Sequence, residues 1–499
     1  VGAAGEVIVS TSEGGTWNSA TTWVGGVVPD LVDDSVVIAT TDGASVSLSG
    51  ATTVKGSLTI NAGSELTTGN YSLTFEGDFV NNGIFEAGYS NIGIAGAGST
   101  QSIAGFQTFG NVSMTKSAGV ATFAGNVSAA GLTLNGAGTL NLGTGTHIFT
   151  GTWTRTAGTL DGGSGTLYLG GSISGSGGTF TPGTSTVIYN GGTQNVASLT
   201  YYNLKLRTSG AKTSLGAIIV NGYLRVDPNA TFVVGPNNLT VMGSTYVSGT
   251  LTHDSPIGTK TYNGLVTITS GGIWKNDGTG NSNIHFRGGL LHNGWTFNAG
   301  SGTYYFEDNN QGIGGISPIS IANLVVEDGF TLTNNNAGLS VTNTLVGTSA
   351  PDGNGHTGGA IVQGTSGVLS IGMADSSFTL SSLDASAVGN TVNYTYGGGQ
   401  VIRDIQYHSL GLGGSGSKTL PVALTHLTGN FSVGDAATVA TVADLDVDGN
   451  LSVSGSAVLT VNGFNFNVDG STAINGTSTY VNGKLLFNSV SGTKSFGGL

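Results

Sequence analysis

Ser244-Thr245-Tyr246-Val247-Ser248-Gly249-Thr250-Leu251 returns 234 positions later as Ser478-Thr479-Tyr480-Val481-Asn482-Gly483-Lys484-Leu485. At the same offset, Gly258-Thr259-Lys260-Thr261-Tyr262-Asn263-Gly264-Leu265 returns as Gly492-Thr493-Lys494-Ser495-Phe496-Gly497-Gly498-Leu499. Each copy is a short run of alternating apolar and polar residues closed by glycine or asparagine. Repetition of such runs points to an all-β chain built by stacking one kind of element.

A looser unit surrounds this echo. Phe85-Glu86-Ala87-Gly88 leads to Gln101, Phe180-Thr181-Pro182-Gly183 to Gln194, and Phe297-Asn298-Ala299-Gly300 to Gln311. An Asn with a β-forming partner follows each Gln: Asn111-Val112, Asn203-Leu204 and Asn323-Leu324. A weaker fourth copy has Gln400 and Ser409-Leu410, so the spacings are 92, 120 and 86. Unequal units argue against a propeller, whose blades must match to close a ring. A solenoid accepts them, because each coil touches only its neighbours and insertions leave at the corners. An array of immunoglobulin-like sandwiches would show linkers, and none is visible.

The strands read directly from period two. Ser57-Leu58-Thr59-Ile60, Leu132-Thr133-Leu134, Leu204-Lys205-Leu206, Leu224-Arg225-Val226 and Leu451-Ser452-Val453 each put aliphatic residues on one face and polar ones on the other. Gly-Gly, Asn-Gly, Asp-Gly and Gly-Ser punctuate them. No window has the apolar spacing of an amphipathic helix. The expectation is an elongated right-handed parallel β-solenoid with irregular repeats. At ~20–25 residues per coil it has on the order of 20 rungs and a length of about 100 Å. Residues 1–45 form an N-terminal cap and first coils, with Trp17 and Trp23 closing the core, and 46–499 a continuous solenoid.

Composition narrows the partners. Of 499 residues 88 are glycine and only 41 are Lys, Arg, Asp or Glu, with a net charge of −13. Hydrophobic residues still make up 38%, enough for a core, and the 8 prolines exclude collagen. Fourteen scattered basic residues give no face for nucleic acid or anionic lipid. No run of about 20 apolar residues is present, so no membrane insertion by a helix is expected. Absence of cysteine excludes disulfides and thiolate chemistry. Val1 shows no signal peptide, and a start after its removal is the expectation.

The opening Gly14-Gly15-Thr16-Trp17, Trp23-Val24-Gly25-Gly26, Pro29 and Asp33-Asp34-Ser35-Val36-Val37-Ile38 resembles the start of β-solenoid regions in large secreted surface proteins of Bacteroidota-type bacteria. The repeats from Tyr202-Asn203-Leu204 to Lys212-Thr213, and from His408-Ser409-Leu410 to Lys418-Thr419, resemble the β-strand repeats of those proteins. The resemblance implies a secreted, adhesin-like chain of the kind often exported by type 9 secretion. It also implies a C-terminal sorting domain, which is cleaved off or lies further along a longer chain. Asp34-Ser35-Val36 resembles the Asp-Ser/Thr-apolar site at which such bacteria O-glycosylate exported proteins.

Several residue groups could carry chemistry. The histidines are His147, His253, His285, His292, His356, His408 and His426; none has zinc-protease spacing. His285 and His292, near Trp295, could face one groove. Asp444, Asp446, Asp448 and Gly449 match the front of a calcium loop, but Gly455 stands where a bidentate Glu is required. The other reading is a strand with three solvated aspartates. Asp33-Asp34, Glu307-Asp308 and Glu327-Asp328 are candidate acid pairs of a glycosidase, and Arg403-Asp404 is the one candidate lyase pair. Gly397-Gly398-Gly399 lacks a following helix and is not a phosphate loop. Tyr201-Tyr202, Tyr304-Tyr305-Phe306 and Tyr394-Thr395-Tyr396 could offer exposed rings to sugars or pack under corner loops; adjacent rings are expected on opposite faces, and Tyr394 and Tyr396 on a shared one.

No residue is assigned a catalytic, cofactor-binding or metal role, and no cofactor is expected. The reading is an extracellular or cell-surface, non-enzymatic solenoid that forms a filament or adhesin stalk. The rival is a carbohydrate-binding or polysaccharide-degrading β-helix, which would gather two or more carboxylates and a base in one groove. Surface glycans are a candidate partner. Lys494 is the only charge in the last ten residues. The final rung is therefore expected to pair, either with further repeats or head to tail with the next subunit.

Overall fold

Leu140, Leu160 and Phe180 stand side by side on neighbouring parallel strands, one every 20 residues. That step is one turn of the fold. The computed structural model describes residues 5–29, 34–253, 255–278, 281–347, 358–488 and 494–496. About half the chain is strand, arranged as a right-handed parallel β-solenoid of about 22 turns. Among the described residues there is no α-helix, and the three 3₁₀ turns, Ala20–Thr22, Val24–Gly26 and Asp375–Ser377, are short. No helix there is long and apolar enough to cross a membrane.

The contacts divide the chain into two units, 1–233 and 234–499. In the first, the strands are short and line three sides of the coil. One sheet runs in order from Val7–Val9 and Ser35–Ile38 to Thr179–Thr181. A second begins at Thr52–Val54 and ends at Ile173–Ser174. The third side starts as Gly15–Thr16 to Ile84–Glu86 and resumes with Phe106–Gln107, Val127–Ala129 and Thr146–Phe149. Alternation fixes the inward set. Val36, Leu58 and Phe79 pair in register and are buried, whereas the Thr59 beside them is not. A one-residue slip would turn every such side chain outward. Trp17 and Trp23, both 2% exposed, meet edge to face at 5.0 Å, and Trp23 Nε1 donates to the Trp17 carbonyl at 2.7 Å.

The second unit follows the same rule with longer elements. Ile319–Val326 pairs with Thr303–Phe306 on one side and with Leu339–Gly347 on the other, where a bulge falls between Ile321 and Asn323. Further on, Ser409–Leu412, Phe431–Val433, Leu451–Val453 and Thr472–Ile474 stack in order, with Lys494–Phe496 beside the last. Glycine and asparagine hold one corner of this stack. Asn450 donates its backbone N–H to Asn430 Oδ1 at 2.9 Å, and Ser471 donates to Asn450 Oδ1 at 2.7 Å. Gly449 precedes Asn450 because a Cβ there would lie 2.5 Å from the Gly429 carbonyl group.

The spacing of 92 is not a whole number of turns. Asn111 and Asn203 lie on different sheets, so the looser unit passes around the coil and does not return to one face. The final Gly498-Leu499, His356 and Asp33 lie outside the described residues.

Candidate functional site

The repeated glutamines and lysines are corner plugs. Gln194 and Gln400 point inward, and each amide nitrogen donates to two carbonyls of the preceding turn: Leu169 and Gly171 at 2.9 and 2.7 Å, Ile371 and Met373 at 3.1 and 2.9 Å. Gln101 and Gln311 likewise donate to backbone carbonyls. Lys212 lies opposite Gln194 in register, and Lys418 opposite Gln400. Both lysines are buried and end among acceptors. Lys212 Nζ donates to the carbonyls of Gly191, Thr208 and Ser209, and Lys418 Nζ to those of Tyr396 and Gly398 and to Gln400 Oε1. Burial lowers the pKa of both ammonium groups, and the acceptors replace the lost water.

The aromatic groups divide between inside and outside. Tyr201, Tyr304 and Tyr394 are buried and hydrogen-bonded, while Tyr202, Tyr305 and Tyr396 are half-buried. Tyr394 and Tyr396 do not share a strand face, since the strand Thr391–Tyr394 ends before Tyr396. Tyr305 stacks on His285 with centroids 4.7 Å apart and planes 6° from parallel. A column of more exposed rings, Tyr71, Tyr89 and Phe109, escaped the sequence reading; Tyr89 and Phe109 lie 5.2 Å apart. Its signal is one ring every 18 to 20 residues, visible once the turn length is known.

The pairs Glu307-Asp308 and Glu327-Asp328 are tied up locally. Arg287 bonds both Glu307 and Asp308, at 2.9 Å each, and His285 Nδ1 lies 3.0 Å from Glu307. Burial pushes the Glu307 carboxyl up, but the hydrogen bonds and charges of His285 and Arg287 outweigh it and hold the pKa below the ordinary value. Glu327 accepts the Asp308 backbone N–H at 2.7 Å, and buried Asp328 accepts that of Gly358. Arg403 lies over the Phe378 ring at 4.1 Å and donates to the Leu380 carbonyl at 2.9 Å, so its guanidinium is used in packing beside Asp404. Asp34 is buried, and Ser35 Oγ accepts the Ser57 N–H at 3.1 Å. Asp227 gathers three cations, Lys205, Arg207 and Arg225, at 3.2, 3.2 and 2.7 Å.

His285 and His292 do not share a groove: His285 stands half-buried in Ile284–Phe286 of one sheet, while His292 is buried in Leu290–His292 of another. Trp295 is 76% exposed. His147 and His253 are in the core, and His408 contacts Ser409 Oγ at 3.1 Å.

The calcium-loop segment is a strand, Leu445–Val447, with Leu445 and Val447 in the core. Asp444 accepts the Asn465 N–H at 2.8 Å and takes no part in a shared cluster. Asp446 and Asp448 instead meet His426 from the preceding turn, and one donor atom from each lies within 4.8 Å of the others. Next to His426 is a cleft of about 320 Å³, whose wall includes Ser386, Asp404, Gln406, Tyr407 and Thr428. No family model, curated protein or solved structure matches this chain.

Proposed function

We propose that the chain is an extracellular, non-enzymatic β-solenoid acting as a structural or adhesive element of a cell surface, in a filament or adhesin stalk. The observation that carries this reading is the use made of its buried polar groups. Gln194, Lys212, Gln400 and Lys418 spend their hydrogen bonds on backbone carbonyls at the corners, which favours persistence of the coil. The test has two parts. Immunogold labelling of the native cells should place the protein at the surface, and deletion should reduce adhesion. Purified protein incubated with a panel of polysaccharides should release no new reducing ends or unsaturated sugars; release would overturn the non-enzymatic reading.

A carbohydrate-binding or polysaccharide-degrading protein is the second reading. The stacked His285 and Tyr305 beside Arg287, Glu307 and Asp308 favour it, since a flat ring bordered by paired charges suits a sugar face and its hydroxyls. Glycan-array binding that Tyr305→Ser abolishes would support it.

A further inference from the structure

His426 opens the strand His426–Leu427 and lies opposite Asp446 in parallel register, one turn away. Asp446 leaves the strand Leu445–Val447 on the side away from buried Leu445 and Val447, and Asp448 follows just past the strand's end. Asp448 Oδ1 lies 2.8 Å from His426 Nε2. Asp446 Oδ1 is closed to solvent, with less than 1 Å² accessible, and has no hydrogen-bond partner. On the next turn Asn467 lies opposite Asp446, and its Oδ1 is equally closed and unpartnered. Among the described residues no lysine or arginine pairs with either aspartate. Two enclosed acceptors without a donor, beside a histidine and a second carboxylate, lack a positive partner.

We propose that His426, Asp446 and Asp448 bind a divalent first-row transition cation of the zinc type, and that the ion fastens two successive turns of the second unit. The donor set selects the class. Calcium takes six to eight oxygens, whereas an imidazole nitrogen with two carboxylates suits zinc and its neighbours. A tetrahedral site with bonds of ~2.1 Å sets its donors ~3.4 Å apart. One donor atom each from His426, Asp446 and Asp448 already lies within 4.8 Å of the others. Asn467 lies opposite Asp446 one turn further on.

The test uses the full chain, stripped with a chelator and titrated calorimetrically with Zn²⁺, Ca²⁺ and Mg²⁺. One Zn²⁺ per chain is expected, with a rise in unfolding temperature that equal Ca²⁺ or Mg²⁺ does not produce. Co²⁺ in place of zinc should give the visible absorption of a low-symmetry four- or five-coordinate site. His426→Gln and Asp446→Asn should each weaken binding by more than the roughly 10–100-fold that loss of an outer-shell partner costs. Asp444→Asn should leave it unchanged. Circular dichroism checks the folding of each variant; if one fails to fold, the cobalt spectrum of the other decides. Absence of stoichiometric Zn²⁺ binding by the parent would overturn the proposal. So would zinc binding that survives both substitutions, or preferential Ca²⁺ binding removed by Asp444→Asn.

Discussion

Tyr394 and Tyr407 meet hydroxyl to hydroxyl at 2.9 Å in the second unit, and Tyr189 and Tyr201 do the same at 2.9 Å in the first. The two pairs are built alike. Tyr407 donates to the Arg403 carbonyl and Tyr201 to that of Ala197, each at 2.9 Å. The partner hydroxyls of Tyr394 and Tyr189 accept the N–H of those same residues, each at 3.2 Å. A buried phenol pair thus ties together two positions four apart in the chain. Burial raises the pKa of all four, that of Tyr189 to about 12.

Tyr407→Phe should therefore destabilise the chain by about 1–2 kcal/mol, since it leaves the part-buried Arg403 carbonyl without its donor. Urea unfolding measures this. A midpoint equal to that of the parent would show that stability does not depend on the phenol.

Lys418→Met keeps the length of the stem and removes the ammonium group. Three acceptors, the carbonyls of Tyr396 and Gly398 and Gln400 Oε1, then lose a charged donor. Hydrogen bonds to a charged group contribute about 1.5–3 kcal/mol each, offset here by the desolvation cost of the cation. The expected net loss is about 2–4 kcal/mol in equilibrium unfolding. A more stable variant would mean that desolvation outweighs the plug.

Gly449→Ala and Gly192→Ala form a matched pair. An added methyl at Gly449 meets the Gly429 carbonyl group at 2.5 Å, while at Gly192 nothing lies within 4 Å. Overpacking costs about 1–3 kcal/mol, so Gly449→Ala should lower the melting temperature and Gly192→Ala should leave it near that of the parent. Equal behaviour of the two would refute the close approach at that corner.

His253 gives the stability a pH dependence. Burial, with Lys260 adding repulsion, lowers its pKa to about 3, and its Nε2 lies 2.5 Å from the Tyr262 hydroxyl. In the unfolded chain the imidazole takes a proton near ~6.5. Between these values the unfolded state binds more protons, so stability is full above about pH 6.5 and falls as the pH drops towards 3. The loss approaches roughly 4–5 kcal/mol at 1.36 kcal/mol per pH unit. Burial lowers His147 and His292 in the same direction. Glu307, held below the ordinary carboxylate value, adds a loss of stability only once the pH is below about 4.5. Urea midpoints between pH 5 and 7 should therefore fall with pH in the parent and fall less in His253→Gln. Parallel slopes would sink the assignment.

The coil itself was legible in the sequence, because period two reports which side of a strand is inside. Leu204-Lys205-Leu206 and Leu224-Arg225-Val226, two of the alternating runs, lie next to each other in register. The turn length was not legible in the spacings of Gln101, Gln194 and Gln311, since those mark plugged corners separated by several turns. Adjacent tyrosines could not be sorted until one hydroxyl of each pair found its buried partner. His426 and Asp446 are 20 residues apart, and only the 20-residue turn makes them neighbours. The Asp444 to Asp448 spacing resembled a loop because Asp444 and Asp448 flank the short strand Leu445–Val447, whose alternation turns Asp446 outward between them.

Stacking in register also limits how such a chain can change over generations. Lys205 and Arg225 are forced into adjacency, and Asp227 keeps that site tolerable by binding both and Arg207 as well. A charge appearing by mutation on an outward face meets whatever occupies the same position one turn away on each side. It survives where an opposite charge is already there, or arrives with it. Charged residues should therefore be gained and lost in linked sets spaced by one turn, while threonine, serine and asparagine drift singly.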